Sequence, residues 1–169
     1  MPRQSKYNKE EKDNVKSYQY KAAIYIRLSV EDGDKEESNS ITNQRMLLNQ
    51  FLKDNSDIEV YDYYTDDGFS GTTFNRPGFE KLLEDLYEKK FNTVIVKDLS
   101  RLGRNYIEVG NYIEKVFPLY NIRFIAVNDQ IDSIKNPESV NSIIVPFKNL
   151  INDEYCRDIS NKIKAVLNV

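Results

Sequence analysis

Short apolar runs set the fold class of this chain. Ala22–Ile26 and Val94–Val96 are continuous rather than alternating, the pattern of strands buried on both faces, and Ile122–Val127 gives another strand. Ile58–Thr65 reads as a further strand, alternating Ile58, Val60, Asp62 and Tyr64 against Glu59, Tyr61 and Tyr63. Helical spacing fills the gaps between these strands. Ser40 caps a helix through about Asp54, with Ile41, Gln44, Leu48, Phe51 and Leu52 roughly on one side. Behind Pro77, Phe79, Leu82, Leu83, Leu86 and Tyr87 form an amphipathic stripe. A helix near Tyr106–Phe117 carries Val109, Ile113, Val116 and Phe117, with Pro118 just past it. Strands alternating with helices predict an α/β fold. Its sheet is mainly parallel, of four or more strands, flanked by helices and joined by right-handed crossovers.

Residues 1–20 are polar and aperiodic and read as a flexible arm. The α/β core is expected over 21–135, and 136–169 as a linker and a long C-terminal helix. Within these spans Lys97–Arg104 and Asp129–Ser142 read as loops. Pro146 starts or kinks the long helix, whose stripe runs Phe147, Leu150, Ile151, Tyr155, Ile159, Ile163 and Val166. No cap or breaker follows at Leu167, so the chain is expected to be truncated from something longer.

At 169 residues the chain is long enough for one domain with a real core. It lacks an apolar run of membrane-spanning length and a signal-peptide core, so no membrane role is expected. Cys156 is the only cysteine, which excludes an internal disulfide framework and points to the cytoplasm. The complete lack of histidine removes the usual general base, the usual metal ligand and any Ser-His-Asp triad. A net charge of −3 sits awkwardly with nucleic-acid binding.

The chemistry-bearing residues fall at strand ends. Arg27 and Ser29 close the first strand two residues apart, on one face of an extended chain. Arg101 and Arg104 bracket Gly103 after the third strand, and Arg76 lies in the turn after the second. In a parallel sheet these ends share one edge, where open α/β sheets bind ligands. A hydroxyl ringed by guanidiniums suits a phosphodiester and its developing negative charge better than a carbonyl. No phosphate-binding Gly-rich loop ending in Lys-Ser/Thr is present, so nucleotide hydrolysis has no cradle. An apparent calcium loop from Asp32 fails, because Glu37 and Asn43 stand where Gly and Glu are required.

Y-I-R-L-S, Gln44-Arg45, D-G-F-S-G-T-T-F-N-R-P-G-F and V-K-D-L-S-R-L-G-R-N, in that order, resemble the serine recombinase (resolvase/invertase) catalytic domain. The likeness is to large serine recombinases of conjugative transposons and phages, and covers about Lys21 to Lys164. It implies site-specific cleavage and rejoining of double-stranded DNA, excising or integrating a mobile element. Ser29 would be the nucleophile, joined covalently to the 5′ phosphate. Arg27, Arg101 and Arg104 would clamp that phosphate, Arg76 would add a further cation, and Gln44 would support the site. The resemblance also implies no cofactor and no metal, DNA-binding domains after the long helix, and a homodimer that assembles into a synaptic tetramer through that helix.

The sequence departs from small resolvases at Ser100, where they carry Asp before the arginine matched to Arg101. Asp98 faces the same side if the segment stays extended, and is a candidate replacement. The competing reading is a non-catalytic α/β protein-interaction or regulatory module, whose arginines bind an acidic partner.

Overall fold

The computed structural model describes residues 19–28, 41–69 and 75–142, with 145, 157, 159, 160, 162 and 163. Its first strand, β1 (Tyr20–Leu28), is buried from Ala22 through Arg27. Small and β-branched side chains there allow helices to pack on both faces. Helix α1 (Ile41–Asp54) leads to β2 (Ile58–Asp67), and helix α2 (Pro77–Tyr87) to β3 (Thr93–Val96). A single turn, α3 (Leu99–Leu102), follows at once. A longer helical rod comprises α4 (Tyr106–Asn111), a π-helical segment Tyr112–Val116 and α5 (Phe117–Leu119). Strands β4 (Arg123–Ala126) and β5 (Ile131–Asp132) end the sheet.

The strand order is β2-β1-β3-β4-β5, with β5 alone antiparallel. The expected mainly parallel α/β sheet is therefore present. The chain moves outward from β1 to β2, then returns to the other side of β1 for β3. That reversal opens a crevice at the carboxyl ends of β1 and β3. On one face α1 packs Leu48 against Ala22, Ile24, Ile26, Ile58, Ile95 and Ile125. On the other, α2 and the α4 rod bring Phe79, Leu82, Leu86, Val109, Ile113 and Phe117 onto Tyr25, Val94, Val96 and Phe124.

Several local expectations are corrected. Pairing of β1 with β2 skips a residue, so that Ala22 faces Val60 and Ala23 faces Asp62. This bulge at Tyr61 shifts the alternation: Val60 and Tyr63 join the α1 face, and Tyr61 and Tyr64 the opposite face. The segment Lys97–Arg104 is not all loop, because α3 occupies its centre. Pro118 lies inside the helical rod rather than past it. Proline has no N–H, and the preceding turn widens so that Phe117 N bonds Tyr112 O, a π-type step that absorbs the misfit. The span Asp129–Ser142 holds β5 and a helical stretch at 137–142. Tyr87, assigned to the buried stripe of α2, is exposed against Tyr120. The proposed cap Ser40 and start Pro146 lie outside the described residues, as do Phe147, Leu150, Ile151, Tyr155 and Val166 of the C-terminal stripe.

Candidate active site

Arg27 occupies the crevice floor and is fully buried. Its guanidinium donates to Phe69 O (3.0 Å), Ser100 O (2.8 Å) and Arg101 O (3.3 Å). It thereby joins the end of β2 to the single turn α3. Burial lowers its pKa from the usual arginine value, and the nearby charges of Arg101, Arg76 and Arg104 push in the same direction. The arginines taken from separate stretches of sequence thus share one electrostatic environment. Among the described residues, carbonyl oxygens rather than carboxylates hold Arg27, an arrangement that does not cancel its charge.

Arg101 returns the contact, its Nη1 donating to Arg27 O at 3.1 Å. Gln44, buried on α1, places Nε2 on the same oxygen at 3.0 Å. The end of β1 is therefore held from both sides, directly before Ser29. Ser29 itself lies outside the described residues. Arg104 is half-buried just beyond α3.

Arg76 is fully buried, its Nη2 on Leu102 O at 2.7 Å. The guanidinium lies over the rings of Phe79 (5.2 Å) and Tyr25 (5.5 Å), a cation–π seat. The residues after it explain the R-P-G run. Pro77 opens α2, where its missing N–H costs nothing. Gly78 approaches β2 so closely that a Cβ would lie 2.8 Å from Thr65 O and 2.9 Å from Asp66 Oδ1.

Asp98 does not face the crevice as part of an extended strand. It is the N-cap of α3, its Oδ1 accepting from Arg101 N (3.2 Å) and from the Ser100 hydroxyl. Arg101 Nε stands 3.8 Å from the same oxygen, a loose ion pair. Sequence reasoning passed over Asp66 and Tyr25. The buried Asp66 carboxylate accepts from Tyr25 Oη (2.8 Å), Gly78 N (2.7 Å) and Phe79 N (3.0 Å), fixing the start of α2 beside Arg76. Burial raises the Tyr25 phenol well above its usual range, and the Asp66 carboxylate adds to this against the opposing charge of Arg76. Asp66 shares the face of Tyr64, two residues before it, and the bulge turns that face to the side opposite Val60, which strict alternation hides.

The family pattern described as Resolvase, N terminal domain matches residues 22–168. The chain belongs to the resolvase family. Among solved structures, it is 32% identical to the N-terminal catalytic domain of TP901-1 integrase, with a TM-score of 0.65, over 82% of this chain and 98% of that one. It is 26% identical to a serine recombinase from Sulfolobus solfataricus, TM-score 0.50, over 79% and 86% of the two chains. A resolvase family site-specific recombinase from Streptococcus pneumoniae, 24% identical, shares the fold with a TM-score of 0.65 over 86% and 97%. The protein is thus a site-specific serine recombinase domain and an enzyme, which sets aside the non-catalytic module. Such domains act on DNA and form oligomers. Among the described residues of the recombinase, no helix is long and apolar enough to cross a membrane.

Proposed function

We propose that this recombinase domain cuts double-stranded DNA through Ser29 and conserves the broken bond as a 5′-phosphoserine. The Ser29 oxygen attacks the scissile phosphorus. The Oγ–P bond forms, the P–O3′ bond breaks, the serine proton leaves to solvent and the 3′ oxygen takes one up. Rejoining reverses the step with the 3′-hydroxyl of a new partner strand. The phosphoserine ester keeps the phosphodiester bond energy, so the chemistry takes no nucleotide cofactor and no metal. With DNA as substrate, the reaction belongs in the cytoplasm.

The observation that carries this reading is the convergence of Arg27, Arg76 and Arg101 on turn α3 at the strand end leading to Ser29, with Arg104 just beyond it. Charge developing on the phosphate in the transition state meets cations already in place, which costs no reorganisation at that moment. Arg101 and Arg104, carried on and after α3, contact the phosphate. The fully buried Arg27 and Arg76 supply charge from behind, Arg27 holding the Phe69, Ser100 and Arg101 carbonyls and Arg76 the Leu102 carbonyl. Gln44 steadies Arg27 O, and Asp98 serves the site by capping the turn that carries Arg101.

We assign 21–135 to the catalytic core and 136–169 to the segment through which copies assemble. The last segment pairs two copies and then joins dimers into a synaptic tetramer. Exposure of Ile159 and Ile163 supports that use. Ser29→Ala in the intact recombinase tests the central step: DNA binding remains and the covalent adduct, read on a denaturing gel, disappears. An adduct that survives the substitution overturns the assignment.

A further inference from the structure

The turn after β4 is tied to the start of α3. Val127 N donates to Val96 O (3.1 Å) and Asn128 N to Lys97 O (2.8 Å), which carries the β3–β4 pairing past the ends of both strands. Asp129 then uses its side chain: Oδ2 accepts from Leu99 N at 2.6 Å. Leu99 is the first residue of α3, so its N–H is one that a helix start leaves without an internal partner. Gln130 holds the turn, with a left-handed φ of 55° and its N on Val127 O at 3.2 Å.

The other end of α3 meets the arginines. Ser100 O and Arg101 O accept from Arg27, and Leu102 O accepts from Arg76. Carboxylates of Asp98 and Asp129 at the amino end and guanidiniums at the carbonyl end both complement the peptide dipoles between them. A single turn has no cooperative helix to hold its geometry, so its placement is decided by what grips its ends. We propose that Asp129 is a positioning residue for recombination. It fixes the amino end of α3, and through it the carbonyls that hold Arg27 and Arg76 and the backbone that carries Arg101. It acts through these groups and touches no reacting atom. The inference rests on the reading that Arg101 contacts the scissile phosphate.

Asp129 is exposed, so its truncation opens no cavity and the fold survives. Asp129→Asn keeps an oxygen acceptor for the Leu99 N–H, whereas Asp129→Ala removes it. Hydrogen exchange in the labelled chain gives the first readout, at the Leu99 amide and the Arg27 Nε–H. The alanine variant should speed both by roughly fivefold, the scale of a lost cap, and the asparagine variant should restore them. Unchanged exchange in the alanine variant overturns the proposal.

The second readout is single-turnover adduct formation by the intact recombinase, on a duplex recovered by selection from a random-sequence library. Asp129→Ala should slow it roughly five- to tenfold with DNA affinity unchanged, and Asp129→Asn should recover most of the rate. Equal losses in the two variants overturn the role of the hydrogen bond. Arg101→Ala is run beside them. A wild-type rate there removes the underlying reading of Arg101, whereas a slow Arg101→Ala with a fast Asp129→Ala removes the positioning role alone.

Discussion

Arg27 and Arg101 each donate a side-chain hydrogen bond to the other's backbone carbonyl, at 3.3 and 3.1 Å. Two like charges are held together by oxygens that belong to the residues themselves. Arg27 is thereby fixed through carbonyl oxygens, while Arg101 has the loose 3.8 Å ion pair with Asp98 beside its carbonyl contact. A salt-bridged arginine offers a phosphate little net field, while a carbonyl-held one keeps its charge for the ligand. The arrangement also locks strand to turn, because the paired residues lie at the ends of β1 and within α3.

Arg27→Lys should separate charge from geometry. One ammonium cannot reach Phe69 O, Ser100 O and Arg101 O in the directions that the planar fork serves. Buried carbonyls left without donors should destabilise the domain by on the order of 2 kcal/mol. Urea unfolding of the two proteins checks this, and equal midpoints would mean that the fork is dispensable for the fold.

The two described helical glycines should respond in opposite directions. At Gly78 the obstacles to a Cβ are Thr65 O and the Asp66 carboxylate, itself pinned by Tyr25 and Phe79. Gly78→Ala should cost on the order of 1–3 kcal/mol, as overpacking does. Nothing lies within 4 Å of a Cβ at Gly110, in the interior of α4. Gly110→Ala should stabilise by about 0.5–1 kcal/mol through lost backbone entropy in the unfolded chain. Thermal melts of both variants, read against the parent, decide the signs.

What was legible in the sequence followed from burial on both faces. Ala22–Ile26 and Val94–Val96 read as strands because no polar residue interrupts them, and the chain order then implied a parallel sheet with its site at one edge. The pattern failed where a single residue changes the outcome. The bulge at Tyr61 inverts the alternation in β2 and with it the facing of Asp66. Turn α3 and strand β5 are too short to show a period at all. The arginines were visible as a group, but not their burial. Arg27 and Arg76 are sealed by backbone carbonyls and aromatic rings, and no local pattern marks a carbonyl as a partner.

The exposed apolar residues near the C-terminus bear on assembly. Ile159 and Ile163 fall one helical turn apart, both in helical conformation and both exposed. A pair at this spacing presents one face to a second copy. Sedimentation should show concentration-dependent dimers of the parent chain, and monomers for Ile159→Asp/Ile163→Asp. A dimer that tolerates both carboxylates would place the contact elsewhere.

The last prediction concerns alkaline pH and Tyr25. Its phenol is fully buried. Burial raises its folded-state pKa above the ordinary value near 10, with the Asp66 carboxylate adding to the shift and Arg76 opposing it. In the unfolded chain the phenol is solvated and releases its proton near pH 10. Below that pH both states hold the proton and the contribution to stability is complete. Above it the unfolded state is deprotonated while the folded state is not, so the unfolded state binds fewer protons and stability falls as pH rises. For one such group the slope is about 1.4 kcal/mol per pH unit. Tyr25→Phe should remove that part of the slope. It should also lower stability at neutral pH, because Asp66 loses the hydroxyl that it accepts at 2.8 Å. Unfolding free energies measured from pH 8 to pH 11 for both proteins test this. Parallel curves would show that Tyr25 ionises in the folded domain as readily as in the unfolded chain.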